Sequence, residues 1–168
     1  MKISLGTIKK YVKIPQNITD DDLITLIGAR LVEVEEVIDL KQKYQNCQIA
    51  KVSTCEKIPD THLSLCQIDT GSGDLTQVVC GAPNVRAGLL VAWLAPGAIV
   101  PSTFGGENFE LGVRKLRGYD SHGMITSLKE LDLGDTHDGI LEINPAKISP
   151  THHFTEKELI GQPFAKIF

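Results

Sequence analysis

The stretch that decides the fold is residues 48–84, QIAKVSTCEKIPDTHLSLCQIDTGSGDLTQVVCGAPN. Three runs rich in apolar and β-branched residues are separated by turn-forming groups at Pro59-Asp60, at Gly71-Ser72-Gly73 and at Pro83-Asn84. Short runs cut at regular intervals by Gly, Pro and Asn are typical of an all-β unit. We therefore predict strands at QIAKVSTCEKI, LSLCQIDT and TQVVCGA.

Two further runs complete this pattern. LLVAWLA (residues 89–95) and ILEIN (residues 140–144) are also predicted to be strands, and KELDLGD (residues 129–135) a short helix or turn. Five short strands at this spacing favour a small closed barrel, the OB architecture, which binds oligonucleotides on one face and its flanking loops.

The two ends of the chain have a different pattern. ISLGTIKKYV has apolar residues close to helical spacing, and Thr19 is a plausible N-cap for DDDLITLIGAR, whose three acidic residues suit the positive end of a helix. LVEVEEV alternates valines with acidic residues, which predicts a half-buried strand over Val32–Val37. At the other end, Thr155 is the predicted cap of a short amphipathic helix in FTEKELIGQPFAKIF.

The predicted organisation is mainly β, of the α+β class: an OB-fold five-stranded barrel packed with a small discontinuous α/β unit. The segments are an N-terminal α/β segment at residues 1–40, the OB-fold domain at residues 41–148, and a return segment at residues 149–168. The last segment is too short to be a domain, so we expect it to pack on another unit, with the N-terminal one as the obvious candidate.

Composition excludes several classes of protein. The net charge of −4 argues against non-specific coating of nucleic acid, and no apolar run approaches the ~20 residues of a membrane span. The first fifteen residues lack an uninterrupted apolar stretch, so no secretory signal is expected. Four cysteines without a CxxC pair predict reduced, mostly buried thiols in a cytoplasmic protein rather than a zinc site.

The strongest candidate site is KLRGYDSHGMITS, residues 115–127, together with the preceding Arg114. Residues 81–130 carry five basic and four acidic side chains, and Arg114, Lys115 and Arg117 are three of the five. These cations are suited to phosphates, Ser121 to a phosphate or ribose, and Met124 to the face of a base. The alternative is a surface turn with solvated charges and a methionine that fills the end of the barrel.

Two other loops carry chemistry-bearing residues. In CGAPNVRAG, residues 80–88, Asn84 and Arg86 would either add a phosphate contact or brace the loop. LGDTHDGI, residues 133–140, gathers two aspartates and His137, but an EF-hand loop needs more oxygen ligands and a distal Glu, so turn formation explains it better. We find no GxSxG motif, no phosphate-binding loop and no GxGxxG after a strand, so no catalytic site is predicted.

Three long motifs carry a family resemblance: VVCGAPNVRAG, LAPGAIVP and KLRGYDSHGMITSLKELDLGDTHDGILEI. They closely resemble the N-terminal part of the bacterial phenylalanyl-tRNA synthetase beta subunit, including its EMAP II-like tRNA-binding OB domain. Ser121 and Met124 match the family's S-x-G-M turn, Lys115 and Arg117 its basic pair, and Asn84 and Arg86 its Pro-Asn-Val-Arg loop. The loop IPDTHL, residues 58–63, is one residue shorter than in the family and lacks its basic side chain, so any RNA contact there is expected to be weaker or displaced.

The resemblance implies an accessory tRNA-binding module. In the family it belongs to a longer subunit of a cytoplasmic α2β2 enzyme, whose alpha subunit uses ATP and magnesium to activate phenylalanine. The partners it implies are tRNA, the alpha subunit and the rest of the beta subunit, without a membrane, and it places no cofactor or catalytic residue in these 168 residues. The alternative is a structural spacer within the synthetase with a vestigial RNA-binding face, and a third possibility, a free-standing tRNA-binding protein, predicts a self-dimer.

Overall fold

The computed structural model describes residues 3–148 and 154–167. The chain divides into two compact units, Met1–Ile38 and Asp39–Phe168. Each unit is built from different elements, helices in the first and mainly strands in the second.

The N-terminal unit contains the two predicted helices, α1 (Leu5–Tyr11) and α2 (Asp20–Arg30). Thr19 caps α2 as predicted. Its side chain accepts a hydrogen bond from the Asp22 amide at 3.1 Å, and the Asp22 carboxylate accepts one from the Thr19 amide at 3.0 Å. This reciprocal capping box satisfies amides that the first turn of a helix leaves without partners, so the sequence specifies this helix start locally.

The predicted strand over Val32–Val37 is wrong. These residues follow α2 without belonging to any strand, and their three valines are exposed. Both elements in the described part of this unit, residues 3–38, are helices, so these residues have no neighbouring strand there to pair with. A strand needs a partner for its backbone donors and acceptors, and a periodicity of two does not supply one.

The second unit is built on a five-stranded antiparallel sheet in the order β3-β2-β1-β4-β7. The strands of this sheet are β1 (Cys47–Lys57), β2 (Ser64–Asp69), β3 (Leu75–Cys80), β4 (Leu90–Leu94) and β7 (Met124–Ile125). A separate pair, β5 (Val113–Leu116) and β6 (Tyr119–His122), forms a hairpin. The half-barrel with a few short helices confirms the predicted OB-like α+β fold.

The long first strand, β1, allows the sheet to curve into a half-barrel. Its first five residues, from Cys47, pair with β4, whereas its second half pairs with β2, and the register shifts between Val52 and Thr54. Such a bulge bends the strand and increases its twist, which lets one strand serve both sides of a half-barrel.

The predicted fifth strand, ILEIN, is also wrong. The Leu141 amide donates to Thr126 O at 2.8 Å, while the Ile143 amide donates to Leu90 O at 2.8 Å. Because these donors go to two different neighbours, only an isolated bridge forms, between Glu142 and Val91. The fifth place in the sheet belongs instead to β7, which lies inside the candidate site predicted from sequence.

The core lies on both sides of the sheet, and β4 shows this most directly. All five of its residues are buried, and they alternate between two apolar clusters: Leu90, Ala92 and Leu94 in one, Val91 and Trp93 in the other. This explains why LLVAWLA reads as a continuous apolar run instead of an alternating one.

The described part of the return segment packs in this second unit. The helix α5 (Glu156–Leu159) begins at the predicted cap Thr155, again with a capping box. Beyond it, the Gly161 amide donates to Ile49 O at 2.8 Å, and the Phe164 ring meets Tyr44 edge-on at 5.3 Å between centroids. Residues 149–153 and 168 of this segment lie outside the described residues.

Short helices complete the second unit. They are α3 (Leu40–Lys43), α4 (Pro145–Ile148) and two 3-10 turns at Pro101–Thr103 and Phe164–Ile167. None of the helices in the described residues is long and apolar enough to cross a membrane.

The four cysteines are free, as predicted. Cys47, Cys66 and Cys80 are buried, and burial raises the pKa of the Cys47 thiol to about 12. Cys55 is partly buried and faces Cys66 across β1 and β2, with 3.6 Å between the sulfur atoms. Within residues 3–148 and 154–167, no three His, Cys, Asp or Glu side chains cluster closely enough to hold a metal ion.

Candidate nucleic-acid interface

The centre of the candidate site is a β-hairpin, residues 113–122, which we call the hairpin. Its two strands are joined by Arg117 and Gly118, whose φ angles are +50° and +91°. Positive φ at both central residues is the feature of a type I′ turn, whose twist matches that of the flanking strands. The sequence reading of this stretch as a glycine-containing turn was therefore incomplete, because its flanks are paired strands.

Ser121 fastens the hairpin to the sheet instead of facing solvent. Its side chain is buried, and its hydroxyl accepts a hydrogen bond from the Val79 amide at 3.0 Å and donates one to Gly123 O at 3.1 Å. The hydroxyl proton is therefore already used within the protein. A contact between Ser121 and RNA would require the base of the hairpin to detach from β3.

Two more hydrogen bonds reinforce this attachment. Gln77 Nε2 on β3 donates to Asp120 O at 2.8 Å, and Trp93 Nε1 on β4 donates to His122 O at 2.9 Å. The base of the hairpin is thus held by side chains from two strands of the main sheet.

Gly123 and Met124 explain the rest of the S-x-G-M motif. Gly123 has a φ of +79°, and a Cβ placed on it would lie 2.0 Å from Leu94 O, so no side chain fits. Met124 pairs with Leu94 as part of β7, is half-buried, and packs against the core cluster that contains Tyr44. This geometry corresponds to the alternative in which the methionine fills the end of the barrel.

The basic residues of the hairpin are arranged differently. Arg114, Lys115 and Arg117 are exposed, and none of them makes an ion pair within the described part of the chain. The Arg114 guanidinium lies over the ring of Phe109, with 5.3 Å from Cζ to the centroid. The hairpin therefore presents three positive charges without a bound counter-charge, of which one is stacked on an aromatic face.

Asn84 and Arg86 lie in a second region, residues 80–88, which we call the brace loop. Asn84 Nδ2 donates to Ile140 O at 3.0 Å, and its Oδ1 accepts from the Ile140 amide at 2.9 Å. The Arg86 guanidinium makes a two-pronged ion pair with Glu142, with both N–O distances 2.9 Å. Hydrogen bonding to Arg86, and then to Asn84, holds the pKa of Glu142 below its usual value. These contacts correspond to the bracing role.

A family model described as "Putative tRNA binding domain" matches residues 47–152, which is more than half of the chain. The chain belongs to this tRNA-binding domain family. The matched residues contain the sheet, the hairpin and the brace loop.

The relatives of this tRNA-binding domain include three beta subunits of phenylalanine–tRNA ligase. The chain is 41% identical to that of Mesorhizobium japonicum and 37% identical to those of Bradyrhizobium diazoefficiens and Desulfotalea psychrophila. Each match covers 99% of this chain and about 20% of the relative, so the chain spans about a fifth of the length of these curated relatives. They confirm the resemblance that the three motifs indicate.

Tyr119 is a candidate that the sequence analysis missed. It lies beside the Arg117-Gly118 turn, paired with Leu116 across the hairpin. Its side chain is 39% exposed. The sequence signal that could have identified Tyr119 is the Arg117-Gly118 pair. Read as a two-residue turn, it places the flanking Leu116 and Tyr119 at the tip of a hairpin.

Ser127, Glu130 and His137, which follow β7, lie close together but are not a catalytic arrangement. The buried Ser127 hydroxyl donates to Glu130 at 2.7 Å and lies 3.3 Å from His137 Nδ1. The carboxylate binds the serine and its amide, not the histidine, so Glu130 does not orient the imidazole as a base. Ser127 and Glu130 form the reciprocal contact of a capped turn.

Proposed function

We propose that the chain is an accessory tRNA-binding module of a phenylalanyl-tRNA synthetase beta subunit, and that the hairpin is its RNA-binding surface. The observation that carries the proposal is the set of three exposed, unpaired cations on a hairpin attached to an OB-like sheet. Cations without a bound counter-charge release condensed ions from phosphates when they bind, which is the main source of affinity for an RNA backbone.

We further propose that the module works within a longer enzyme. The parent beta subunit would join an alpha subunit in an α2β2 assembly in the cytoplasm, and ATP and magnesium would act there, beyond these residues. The names of the relatives and the share of their length that the chain spans support this proposal. The module's contribution to phenylalanine–tRNA ligation would be to bind the tRNA backbone, with little sequence preference.

The discontinuous N-terminal α/β unit also remains a proposal. The proposed unit consists of residues 1–40 and the return segment, residues 149–168, and the exposed valines of residues 32–37 offer it apolar surface to pack against. The described part of residues 149–168 supplies apolar side chains, Leu159 and Phe164, to the core of the second unit.

A structural spacer within the synthetase is the second candidate, and specific observations favour it. Ser121 and Met124 are used inside the fold, Arg86 is bound to Glu142, and the net charge is −4. Under this alternative, the residues of the S-x-G-M turn and of the Pro-Asn-Val-Arg loop serve the packing of the domain, and the hairpin cations are solvated surface charges.

The test is a titration of this 168-residue chain with tRNA at several salt concentrations. A patch that neutralises about three phosphates predicts a slope of log K against log salt of roughly −2 to −3. The Lys115→Ala/Arg117→Ala variant should bind more weakly and lose up to about two units of slope.

A matched control removes two exposed lysines of the first unit that make no ion pair in the described residues, in the Lys10→Ala/Lys13→Ala variant, and should leave the slope close to that of the unmodified chain. Absence of binding even near about 50 mM salt would support the spacer instead.

A further inference from the structure

We propose that the tip of the hairpin is a stacking site for an unpaired RNA base, with Tyr119 as the platform. This inference rests on the proposed function and adds what kind of RNA the site takes. Tyr119 is 39% exposed, and neither an aromatic contact nor a hydrogen bond engages its side chain within the described residues.

The hairpin register shows which side chains share a face with Tyr119. Residues directly opposite each other lie on the same face, so Arg114 and Ser121 share one face with the pair Leu116 and Tyr119. Ser121 is buried at the base of this face, whereas Leu116 and Tyr119 are each 39% exposed at its tip. The face therefore lies against the sheet at one end and opens to solvent at the other.

The tip of the hairpin also carries apolar surface, from Leu116 and the ring of Tyr119. Leu116 extends the surface of the Tyr119 ring across the strand pair, and both flank the Arg117-Gly118 turn. Exposed aromatic rings beside cations are the arrangement that single-strand-binding proteins use, because bases stack on the ring while the cations meet the flanking phosphates.

Cations lie on both sides of the platform. Arg117 is two residues before Tyr119, and Arg114 is on the same face two residues before Leu116, opposite Ser121 at the base of the hairpin. Arg114 stacks on Phe109, whose side chain is 43% exposed, so its planar guanidinium is held in place beside the tip. A base on Tyr119 would therefore bring its flanking phosphates to the part of the hairpin that carries these cations.

This geometry selects unpaired RNA over a duplex. In an A-form helix the faces of the bases are covered by their neighbours, and only the backbone and groove edges are accessible. A loop or a single-stranded end offers free base faces. We therefore infer that the module binds a loop or an unpaired end of tRNA through Tyr119, whereas the cations alone would bind any RNA backbone.

The test is a double-mutant cycle between the protein and the RNA. The two ligands are an octa-adenylate and an abasic ribose-phosphate octamer of the same charge. The unmodified chain should bind octa-adenylate tenfold or more tighter than the abasic octamer, the effect of one stacked base. Tyr119→Ala should lose that factor with octa-adenylate, lose almost nothing further with the abasic octamer, and keep the salt slope.

Two variants serve as controls. Tyr119→Phe retains the ring and should bind octa-adenylate within about twofold of the unmodified chain. Tyr11→Ala removes an exposed tyrosine from α1 and should change neither ligand's affinity. If Tyr119→Ala does not fold, Tyr119→Trp decides the question: its fluorescence should be quenched by octa-adenylate and not by the abasic octamer, above a background from the buried Trp93.

The failures are distinguishable. Equal affinity of Tyr119→Ala and the unmodified chain for octa-adenylate, together with loss of binding by Lys115→Ala/Arg117→Ala, would overturn the stacking site and keep the proposed function. Equal affinity of the unmodified chain for both octamers would also overturn the stacking site and keep the proposed function. If neither tRNA nor either octamer binds, both proposals are overturned.

Discussion

The hairpin and the brace loop both carry arginines in motifs that resemble those of one family, but the protein uses the two sets differently. Arg86 in the brace loop is held by both oxygens of Glu142, whereas Arg114, Lys115 and Arg117 on the hairpin make no ion pair in the described residues. A carboxylate partner offsets the charge of an arginine, so a phosphate must compete with that carboxylate, whereas an unpaired arginine offers a phosphate its full charge. Under the proposed function, the absence of an ion pair, more than a place in a motif, marks a cation as a candidate RNA contact.

The same contrast exists within the hairpin. Ser121, at its base, is buried and hydrogen-bonded to β3, and Gly123 gives β7 the space to approach β4. Lys115, Arg117 and Tyr119 lie nearer the turn, beyond this anchored base. Substitutions at the base should therefore change stability first, and substitutions at the tip should change RNA affinity.

The largest expected effect comes from breaking the anchor at Gly123. In Gly123→Ala the new methyl group would meet Leu94 O at 2.0 Å, and the φ of +79° disfavours any side chain. Together these should cost about 3 kcal/mol or more of unfolding free energy, measured by urea denaturation.

Gly118→Ala at the tip is the matched control. Its φ is +91°, but no atom lies within 4 Å of the new methyl group, so only backbone strain of about 1–2 kcal/mol is expected. Equal destabilisation by the two substitutions would contradict the assignment of Gly123 as part of the anchor.

A smaller effect is expected from Ser121→Ala. The substitution leaves the Val79 amide of β3 without its side-chain acceptor, and an unsatisfied buried donor costs about 1–3 kcal/mol. Urea denaturation measures the loss, and a tRNA titration in parallel should show that the salt slope is unchanged.

The Ser64→Ala variant is the comparison for Ser121→Ala, because Ser64 is also a buried serine. Ser64 Oγ has no hydrogen-bond partner in the part of the chain that the structure describes, so its removal should be neutral or slightly stabilising. A larger loss of stability at Ser64 than at Ser121 would show that the hydroxyl of Ser121 does not anchor the hairpin.

The smallest effect is expected from Arg86→Ala, because the ion pair is exposed. Arg86 lowers the pKa of Glu142 from its ordinary 4.5, so the pair stabilises the folded state above that pH and loses its contribution as pH falls through the lowered value. The difference in urea midpoint between the unmodified chain and Arg86→Ala should therefore be present at pH 7 and shrink below about pH 4.5.

Arg30→Ala is the control for this pH dependence. Arg30 is an exposed arginine in the last turn of α2, and no ion pair involves it in the described residues. Its effect should not shrink as pH falls towards 3.5. A constant difference for Arg86→Ala over the same range would contradict the role of Glu142 in the brace loop.

The sequence predicted the features that depend on neighbouring residues. Thr19 and Thr155 were identified as caps from their neighbours in the sequence, and each forms a capping box with a carboxylate three positions further on. The strands β1 to β4 were identified because Gly, Pro and Asn groups separate them. These signals are local, and tertiary packing does not overrule them here.

The sequence did not predict features that depend on distant partners. Residues 140–144 have the composition of a strand, but their backbone donors go to two different neighbours. Ser121 reads as a surface residue because the amide that binds it, on Val79, is 42 positions away. The hairpin itself was missed because its turn is Arg-Gly, whereas Asn-Gly is the strongest two-residue signal.

The most direct test of the central claim compares two single arginines in a salt-dependent tRNA titration of the 168-residue chain. Arg117→Ala removes an unpaired arginine from the hairpin, and Arg86→Ala removes the paired arginine from the brace loop. We predict that Arg117→Ala reduces the magnitude of the log K against log salt slope by about 0.7–0.9, the value for one phosphate contact, and that Arg86→Ala leaves it unchanged. Equal reductions, or a reduction by Arg86→Ala alone, would contradict the account.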